Sequence, residues 1–404
     1  MSKIHEHRIT RLIRRQRRRG GVIACTLATW VALTACSTGG HGGLKGMGPR
    51  APDVDFYLML DTSPSMEIAA TSDGMASLKA ATRRNENGCA LGCHQSNPDH
   101  LGPFLPAEGV SIRCVVSGKY ADGTTFSVGA DFPYIGRDNF DLSRCLGAPL
   151  RIDLVRDAVQ HLVTSAAETE KANHATYRMA LFETDANRAN PSDDLDLFRL
   201  QPMTGDLTPG GAAYESAGNI AALEVYRNNS LAKDDFNFDM DTYLDADLSS
   251  MNGLMPAPRR GAGEPGHGPR EVLLIVTDGL NDETPRRSYR PMDWNGVICA
   301  AIKQKGVRIA VLYTTYGPTD DPWYLSQVAP ALPKGLPPKL PSSTPANPDP
   351  MALAAQQCAS PGLYEQVGTD GDIAAAMQTL FRRAISAGPG GEAHPTVTVR
   401  DPGA

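Results

Sequence analysis

The sequence predicts an α/β fold with a doubly wound, mostly parallel sheet. Apolar runs of strand length alternate along the chain with segments of helical periodicity, an order typical of parallel sheets covered by helices on both faces. The two strongest apolar runs, residues 55–60 and 271–277, lead directly into Asp61 and Asp278. Ligands of such sheets bind at the carboxyl ends of the strands. We therefore expect the two aspartates to lie in one site.

The other elements follow from the same two periodicities. Residues 150–168 place Ile152, Val155, Val159 and Leu162 on one helical face. Further strands are predicted at residues 177–182, 307–315 and 363–367. Further helices are predicted at residues 214–226, from about 244, and at 294–305, 351–357 and 372–386. Residues 67–149 are expected to be irregular, residues 184–209 mostly loop, and residues 329–350 a proline-rich loop.

Charge is divided unevenly along the 404 residues, whose net charge is -6. The first twenty residues hold eight lysines and arginines and a single acid, Glu6. The rest of the chain keeps 31 basic and 44 acidic residues, a net charge near -13. Binding to a phosphate backbone depends on a surplus of lysine and arginine. No nucleic-acid partner is therefore expected, and the basic start is interpreted as part of a targeting segment.

Residues 1–35 are predicted to be a signal peptide or an N-terminal membrane anchor. An apolar stretch at residues 22–36 follows the basic run and is short for a bilayer-spanning helix. Leu33-Thr34-Ala35-Cys36 has the form of a lipobox, which favours a lipoprotein lipidated at Cys36, with residues 36–52 as a flexible tether. The alternative is an uncleaved anchor helix that ends near Gly40. Both place the remainder outside the cytoplasm, in a bacterial cell envelope, facing the periplasm or the outer surface.

Six of the eight cysteines lie beyond the N-terminal segment, and an even number in an exported protein permits three disulfides. Their pairing is not given by the sequence, although Cys299–Cys358 is the simplest downstream pair. Cys89 and Cys93 precede His94, so a zinc site is the alternative there. Oxidised structural cysteines are the favoured interpretation. The candidates are Cys89, Cys93, Cys114, Cys145, Cys299 and Cys358.

The sequence Asp61-x-Ser63-x-Ser65 after an apolar strand resembles the metal-ion-dependent adhesion site of von Willebrand factor A-type domains. The resemblance implies that Ser63 and Ser65 coordinate Mg²⁺, or alternatively Ca²⁺ or Mn²⁺. It also implies that Asp61 and the later Asp278 bind the ion directly or through water. Hydroxyl, carboxylate and water oxygens suit a small hard cation. A vacant position on the ion can then take a carboxylate from a partner.

The family's ligand set is completed by a threonine from a second loop. The usual Gly-Gly-Thr sequence is absent here. Thr242, just before a predicted helix, is the preferred candidate, and Thr208 before Pro209 is the alternative. In the usual layout of the family the first helix follows the metal motif closely. Residues 67–149 are therefore interpreted as a cysteine-rich insertion within a von Willebrand factor A-like domain at residues 53–388, and residues 389–404 as a polar tail.

Four segments carry a second resemblance: Asp-Thr-Ser-Pro-Ser-Met at residues 61–66, the Cys-x-x-x-Cys-His segment at 89–94, residues 299–316, and Cys-Ala-Ser-Pro-Gly-x-Tyr at 358–364. They are similar to the TadG-like proteins of tight-adherence (Flp) pilus assembly, and the similarity spans residues 53–385. The resemblance implies a protein partner among pilus or envelope components. The lipobox departs from that family, whose members normally begin with an anchor helix.

The predicted function is non-enzymatic: binding of a divalent cation and, through it, of a protein partner in pilus assembly or adhesion. The chain contains no His-Glu-x-x-His or Gly-x-Ser-x-Gly motif and no Ser-His-Asp pattern, the sequence signatures of common hydrolases. Two alternatives stay open. One is a structural envelope lipoprotein whose metal site only stabilises the fold, and the other is a metal-dependent hydrolase.

Overall fold

The computed structural model describes residues 51–82, 113–119, 125–131, 143, 146–184, 197–220, 242–264, 266–282, 289–317, 324–335, 337 and 349–386. The predicted signal or anchor segment, Cys36, the tether up to residue 50 and the polar tail lie outside these residues. No helix in the described part of the chain is both long and apolar enough to cross a membrane.

Strands and helices alternate along the described chain. The strands are β1 (Val54–Leu60), β2 (Arg113–Lys119), β3 (Thr125–Asp131), β4 (Tyr177–Glu183), β5 (Phe198–Thr204), β6 (Arg270–Thr277), β7 (Leu280–Asn281), β8 (Arg290–Pro291), β9 (Arg308–Thr314) and β10 (Tyr364–Val367). The α-helices are α1 (Ser72–Thr82), α2 (Arg151–Asn173), α3 (Ala212–Ala217), α4 (Leu244–Leu254), α5 (Val297–Gln304), α6 (Pro350–Cys358) and α7 (Ile373–Ser386). A 3₁₀ turn at Pro64–Glu67 and a π turn at Tyr324–Val328 complete the set.

A six-stranded sheet in the order β10-β9-β6-β1-β4-β5 forms the centre of the domain. All neighbouring pairs are parallel except β4–β5, which is antiparallel. The strand order reverses direction at β1, where the chain is wound first to one side and then to the other. This confirms the predicted fold class, a doubly wound α/β sheet with a von Willebrand factor A-like architecture.

Helices bury both faces of the sheet. Along β1, Phe56 and Leu58 point into a core shared with α2, α3 and α7, whereas Tyr57 and Met59 point into a core shared with α4, α5 and α6. This follows from the two-residue period of a strand, which sends successive side chains to opposite faces. Every residue of β1 is buried, as expected for a central parallel strand covered on both sides.

The strand β5 corrects the expectation that residues 184–209 are mostly loop. Its side chains are only partly buried and carry no clear apolar alternation, so the pattern of a strand is weak. Pro202 lies within it, and proline in a sheet is tolerated at an edge, where a missing amide donor costs no ladder bond. The pairing with β4 is irregular between Met179 and Phe182.

The segment after the Asp61 motif is more regular than expected. It contains the helix α1 and a two-stranded antiparallel hairpin of β2 and β3. Its two ends meet at a short bridge, where Ala69 pairs with Leu150 and the amide of Ala70 donates to the carbonyl of Pro149 at 2.9 Å. Cys114 lies in β2, whose backbone alone is described. Cys89, Cys93, His94 and Cys145 lie outside the described residues.

The remaining elements agree with the predictions to within a few residues, with one exception that is only partly described. Residues 214–226 were expected to be one helix, whereas α3 ends at Ala217 and residues 221–241 lie outside the described chain. Cys299 in α5 and Cys358 at the end of α6 form a disulfide, with Cα atoms 5.2 Å apart. The predicted downstream pair is therefore confirmed.

A buried polar cluster lies at the amino edge of the sheet, away from the Asp61 motif. Parallel pairing places Asp55 beside both Arg178 and Glu271. The Nε of Arg178 donates to Asp55 at 2.7 Å, and Tyr57 donates to Glu271. The Oε2 atom of Glu271 is buried and accepts no hydrogen bond from the described residues. Burial, followed by the charge of Asp55, raises the pKa of Glu271 to about 7.

Replacing Glu271 with glutamine is expected to flatten the pH dependence of stability. The folded-state pKa lies above the ordinary value of 4.5, so the folded protein binds the proton more tightly than the unfolded chain. Stability contributed by this proton is present below pH 4.5 and is lost as the pH rises to about 7, with a slope of up to about 1 kcal/mol per pH unit. Urea unfolding between pH 4.5 and 8 measures the free energy of unfolding and its dependence on pH.

Glu365→Gln, at a surface pair with Arg383, is the control for this substitution. If the free energy of unfolding changes with pH equally in the Glu271 variant and the wild type, the raised pKa of Glu271 is refuted.

Candidate metal site at the carboxyl edge of the sheet

Three adjacent strands bring polar side chains together at their carboxyl ends. Register pairs Leu60 of β1 with Glu183 of β4 and with Val276 of β6. Asp61 follows Leu60 directly, Thr184 follows β4, and Asp278 follows β6. The switch in strand order at β1 is where a parallel sheet forms its ligand-binding crevice. The two aspartates singled out from the sequence therefore share one edge of the sheet.

Asp61 is surrounded by donors. Its Oδ1 accepts hydrogen bonds from the amide of Ser63 at 3.0 Å and from the hydroxyl of Ser63 at 2.6 Å. Its Oδ2 accepts one from the hydroxyl of Thr277 at 2.7 Å, and the amide of Asp278 also donates to this carboxylate. Because both oxygen atoms are already engaged, Asp61 orients the loops around it and is poorly placed to be a direct ligand of a cation.

Ser63 and Ser65 stand side by side, with their hydroxyl oxygens 2.9 Å apart. The hydroxyl of Ser63 donates a hydrogen bond to Asp61, and Ser65 is hydrogen-bonded to Asp278. A hydroxyl that donates its one proton keeps lone pairs for another partner. Ser63 and both aspartates are at most 1% exposed, whereas Ser65 is partly exposed. Access from solvent is therefore on the side of Ser65.

Asp278 carries the least satisfied atom of the site. Its Oδ1 accepts a hydrogen bond from the amide of Leu280 at 3.2 Å, whereas its Oδ2 is buried and accepts none from the described residues. Gly279 makes the turn possible, with φ of +77°, a conformation that favours glycine. A Cβ at Gly279 would lie 3.2 Å from the Cβ of Met351, so the first turn of α6 packs directly over this loop.

The electrostatics of the site favour a positive charge. Burial raises the pKa of Asp61. Burial, and then the charge of Asp61, raises the pKa of Asp278 to about 7. Two buried carboxylates this close disfavour each other's ionised form unless a positive charge offsets them. The guanidinium of Arg151 offsets part of this effect at Asp278.

The donor set fits a small hard cation. The open lone pairs of Ser63 and Ser65 and the unpaired Oδ2 of Asp278 are all oxygen ligands, and Ser65 is partly exposed to solvent. Among the described residues, no group of three or more histidine, cysteine, aspartate or glutamate side chains could hold a metal ion. A cation here would therefore depend on hydroxyl and water oxygens in addition to carboxylate.

The two threonine candidates lie outside this hydrogen-bonded group. The backbone of Thr242 bridges to Asp282, and the amide of Asp282 donates to its carbonyl at 3.0 Å, four residues beyond Asp278. Thr242 thus adjoins the second loop of the site, but none of the hydrogen bonds described above involves its hydroxyl. The hydroxyl of Thr208 donates to Asp206 at 2.9 Å in the exposed turn before α3.

Two other threonines, which the sequence did not single out, do belong to the group. The hydroxyl of Thr184 accepts from the amide of Thr62 at 3.1 Å and lies 3.5 Å from Asp61 Oδ1. Thr277 donates to Asp61 and accepts from the amide of Gly279 at 2.9 Å. Both residues end or follow a predicted strand. The same strand-end criterion that identified Asp61 and Asp278 would have found them.

Comparison with known proteins gives only distant structural similarity. No protein-family profile matches the sequence, and neither does any curated protein. Similar solved structures include the open form of the pilus adhesin SpaC from Lactobacillus rhamnosus GG, at 12% identity and a TM-score of 0.37. They also include an aerotolerance-related membrane protein from Bacteroides fragilis, at 13% and 0.32, and proximal thread matrix protein 1 from the mussel byssus, at 9% and 0.36.

The matched regions differ in extent. The similarity covers 84% of this chain but 31% of the adhesin, 81% of this chain and 96% of the Bacteroides protein, and 83% of this chain and 49% of the byssus protein. This chain thus corresponds to about a third of the adhesin's length. TM-scores of this size carry no argument about function. The fold assignment rests on the strand order and pairing of the sheet.

Proposed function

We propose that this protein is a non-enzymatic module of the bacterial cell envelope that binds a divalent cation at the carboxyl edge of its sheet. Ser63, Ser65 and Asp278 would hold the ion, and Asp61 would orient both loops. The observation that carries the proposal is the buried Oδ2 of Asp278, which lacks a donor in the described chain and lies on the residue that Ser65 contacts. A buried carboxylate oxygen without a partner is costly, and a cation would satisfy it.

The cation would be Mg²⁺, with Ca²⁺ and Mn²⁺ as alternatives. When bound, it supplies an electrophilic position that can accept an oxygen from a partner protein. The protein's own residues orient the ligands: Asp61 and Asp278 hold the hydroxyls of Ser63 and Ser65 by hydrogen bonds. Ser65 is partly exposed, so the site is open to solvent on that side. A carboxylate on the partner is the group that suits such a position.

The partner is proposed to be a pilus or envelope component, in tight-adherence pilus assembly or adhesion. This part rests on the sequence similarity to TadG-like proteins at residues 61–66, 299–316 and 358–364. The basic and apolar N-terminal segment supports attachment to a membrane, through lipid on Cys36 or through an anchor helix.

A purely structural site is the second candidate, and a specific observation favours it. Asp61 already ties three strand ends together through Ser63, Thr277 and Thr184, a network that holds the loops without any ligand. Under this alternative the cation would raise stability but would not mediate partner binding.

Capture of envelope proteins by the full-length chain distinguishes the two candidates. Wild-type protein and Ser65→Ala are used as bait in Mg²⁺ and again in EDTA, and the bound proteins are identified by mass spectrometry. We expect a partner that the wild type retains only in Mg²⁺ and that Ser65→Ala loses, because Ser65 is the ligand nearest to solvent. Thr379→Ala, on the exposed face of α7, is the matched control. Equal recovery in Mg²⁺ and EDTA would argue for the structural role.

A further inference from the structure

Arg151 is a buried cation at the edge of the candidate metal site. It is the first residue of α2, and 4% of its surface is exposed. One terminal nitrogen, Nη2, donates to the carbonyl of Thr315. The other, Nη1, is buried and has no acceptor among the described residues, and no described carboxylate forms an ion pair with this guanidinium. A buried arginine to which the described chain offers a single neutral acceptor is unusual, because burial of an unpaired charge is costly.

The backbone explains why this guanidinium faces the site. The amide of Arg151 donates to the carbonyl of Ile68 at 3.0 Å, three residues beyond Ser65. Thr315 follows β9, and β9 pairs with β6 so that Tyr313 lies beside Thr277. The side chain therefore spans from the loop of Ser63 and Ser65 to the strand end next to Asp278. Its charge favours the ionised form of Asp278, and the buried tyrosines Tyr313 and Tyr316 also lie near it.

Three ionisable groups set the charge of the site. Ionised Asp61 and Asp278 contribute two negative charges, and Arg151 contributes one positive charge, because arginine stays protonated at any physiological pH. A divalent cation therefore enters a site that is already half neutralised. Once bound, it leaves the site with a surplus positive charge, which an anionic group from outside can compensate.

We propose that Arg151 is a built-in counter-charge that weakens the binding of a divalent cation to Ser63, Ser65 and Asp278. The inference rests on the proposed cation site and adds a residue that tunes its affinity. Like charges in a partly desolvated site repel more strongly than in water. Removing this charge should tighten cation binding at least about tenfold. A residue that merely braced α2 would have the opposite effect, because its loss would loosen the loops that carry the ligands.

The test is a titration of the full-length chain with Mn²⁺, followed by electron paramagnetic resonance of the free ion. We expect Arg151→Met to bind Mn²⁺ at least about tenfold more tightly than the wild type. Arg151→Lys keeps the positive charge and should stay close to the wild type. Arg156→Met is the matched control, since this arginine lies on the same helix and pairs with Asp153 and Asp157. Its affinity for Mn²⁺ should equal that of the wild type.

The outcomes separate the two proposals. If the wild type binds Mn²⁺ and a folded Arg151→Met variant binds it equally or more weakly, the proposed role of Arg151 is refuted and the proposed cation site is not. If neither the wild type nor any variant binds Mn²⁺, both the cation site and the role of Arg151 are refuted. Circular dichroism establishes folding. Should Arg151→Met fail to fold, Arg151→Gln removes the same charge while keeping a donor for the carbonyl of Thr315, and the same comparison applies.

Discussion

Asp61→Asn is expected to abolish the stabilisation that Mg²⁺ confers on the wild-type chain. At a Mg²⁺ concentration of 100 times the dissociation constant, a ligand that binds only the folded state adds about 2.7 kcal/mol to the free energy of unfolding. The variant should show none of this increase. Thermal unfolding with increasing Mg²⁺ measures it, with EDTA as the reference state.

The physical reason lies in the hydrogen bonds that Asp61 accepts. Its two oxygens accept hydrogen bonds from the hydroxyl of Ser63, in the loop after β1, and from the hydroxyl of Thr277, the last residue of β6. Asparagine has the same size but one acceptor oxygen and an amide donor in place of the other. At least one of the two hydroxyls must therefore turn away from its present direction. The substitution also removes one of the two negative charges that favour a cation in the site.

The matched control is Asp157→Asn, which removes the same charge from the exposed surface of α2. This variant should keep the full Mg²⁺-dependent shift. A persistent shift in Asp61→Asn would show that Mg²⁺ stabilises the protein elsewhere. A shift lost in both variants would indicate a general effect of net charge.

Most of the fold could be predicted from the sequence because its central strands are buried on both faces. The strands β1, β6 and β9 each contain five consecutive apolar residues, at 56–60, 272–276 and 309–313, which gives a strong signal for a central parallel strand. The edge strand β5 was missed for the converse reason: partial exposure permits polar residues and Pro202, so nothing in its pattern separates it from a loop.

The site was predictable to the extent that its residues follow strong strands. Asp61 and Asp278 do, and the structure brings both to one edge of the sheet. Thr184 follows a predicted strand, whereas the family resemblance implies a threonine from a second loop, for which Thr242 was the preferred candidate. Arg151 had no sequence signal at all. A basic residue at the start of an amphipathic helix is ordinary, and only the tertiary fold buries it beside Asp278.

Removal of the Cys299–Cys358 disulfide is expected to cause the largest loss of stability among the changes considered. The bond closes a loop of 59 residues. In the chain-entropy model, a loop of this length corresponds to about 4 kcal/mol of destabilisation when the link is absent. The double variant Cys299→Ala/Cys358→Ala is preferable to either single one, because a single substitution leaves a free thiol in a chain that contains other cysteines. Urea unfolding gives the difference in free energy.

The same double variant should also bind a cation less well, because of where α6 lies. The disulfide fastens the end of α6 to α5, and the first turn of α6 packs over Gly279 in the loop that carries Asp278. Tyr313 at the end of β9 donates a hydrogen bond to Asp349, which in turn accepts one from the amide of Met351 at 2.9 Å. These hydrogen bonds hold α6 in place after the disulfide is removed. Loss of the disulfide should therefore loosen the Asp278 loop without displacing the loop.

The control for lost sulfur packing is Met351→Leu, which changes a buried sulfur atom in the same core without touching the link. It should cost less than about 1.5 kcal/mol, as volume-conserving exchanges in a core do. If the double variant unfolds at the same urea concentration as the wild type, the loop-closure argument is wrong for this chain. If it loses stability yet binds Mn²⁺ with unchanged affinity, the disulfide stabilises the fold alone, and the Asp278 loop keeps its conformation without this link.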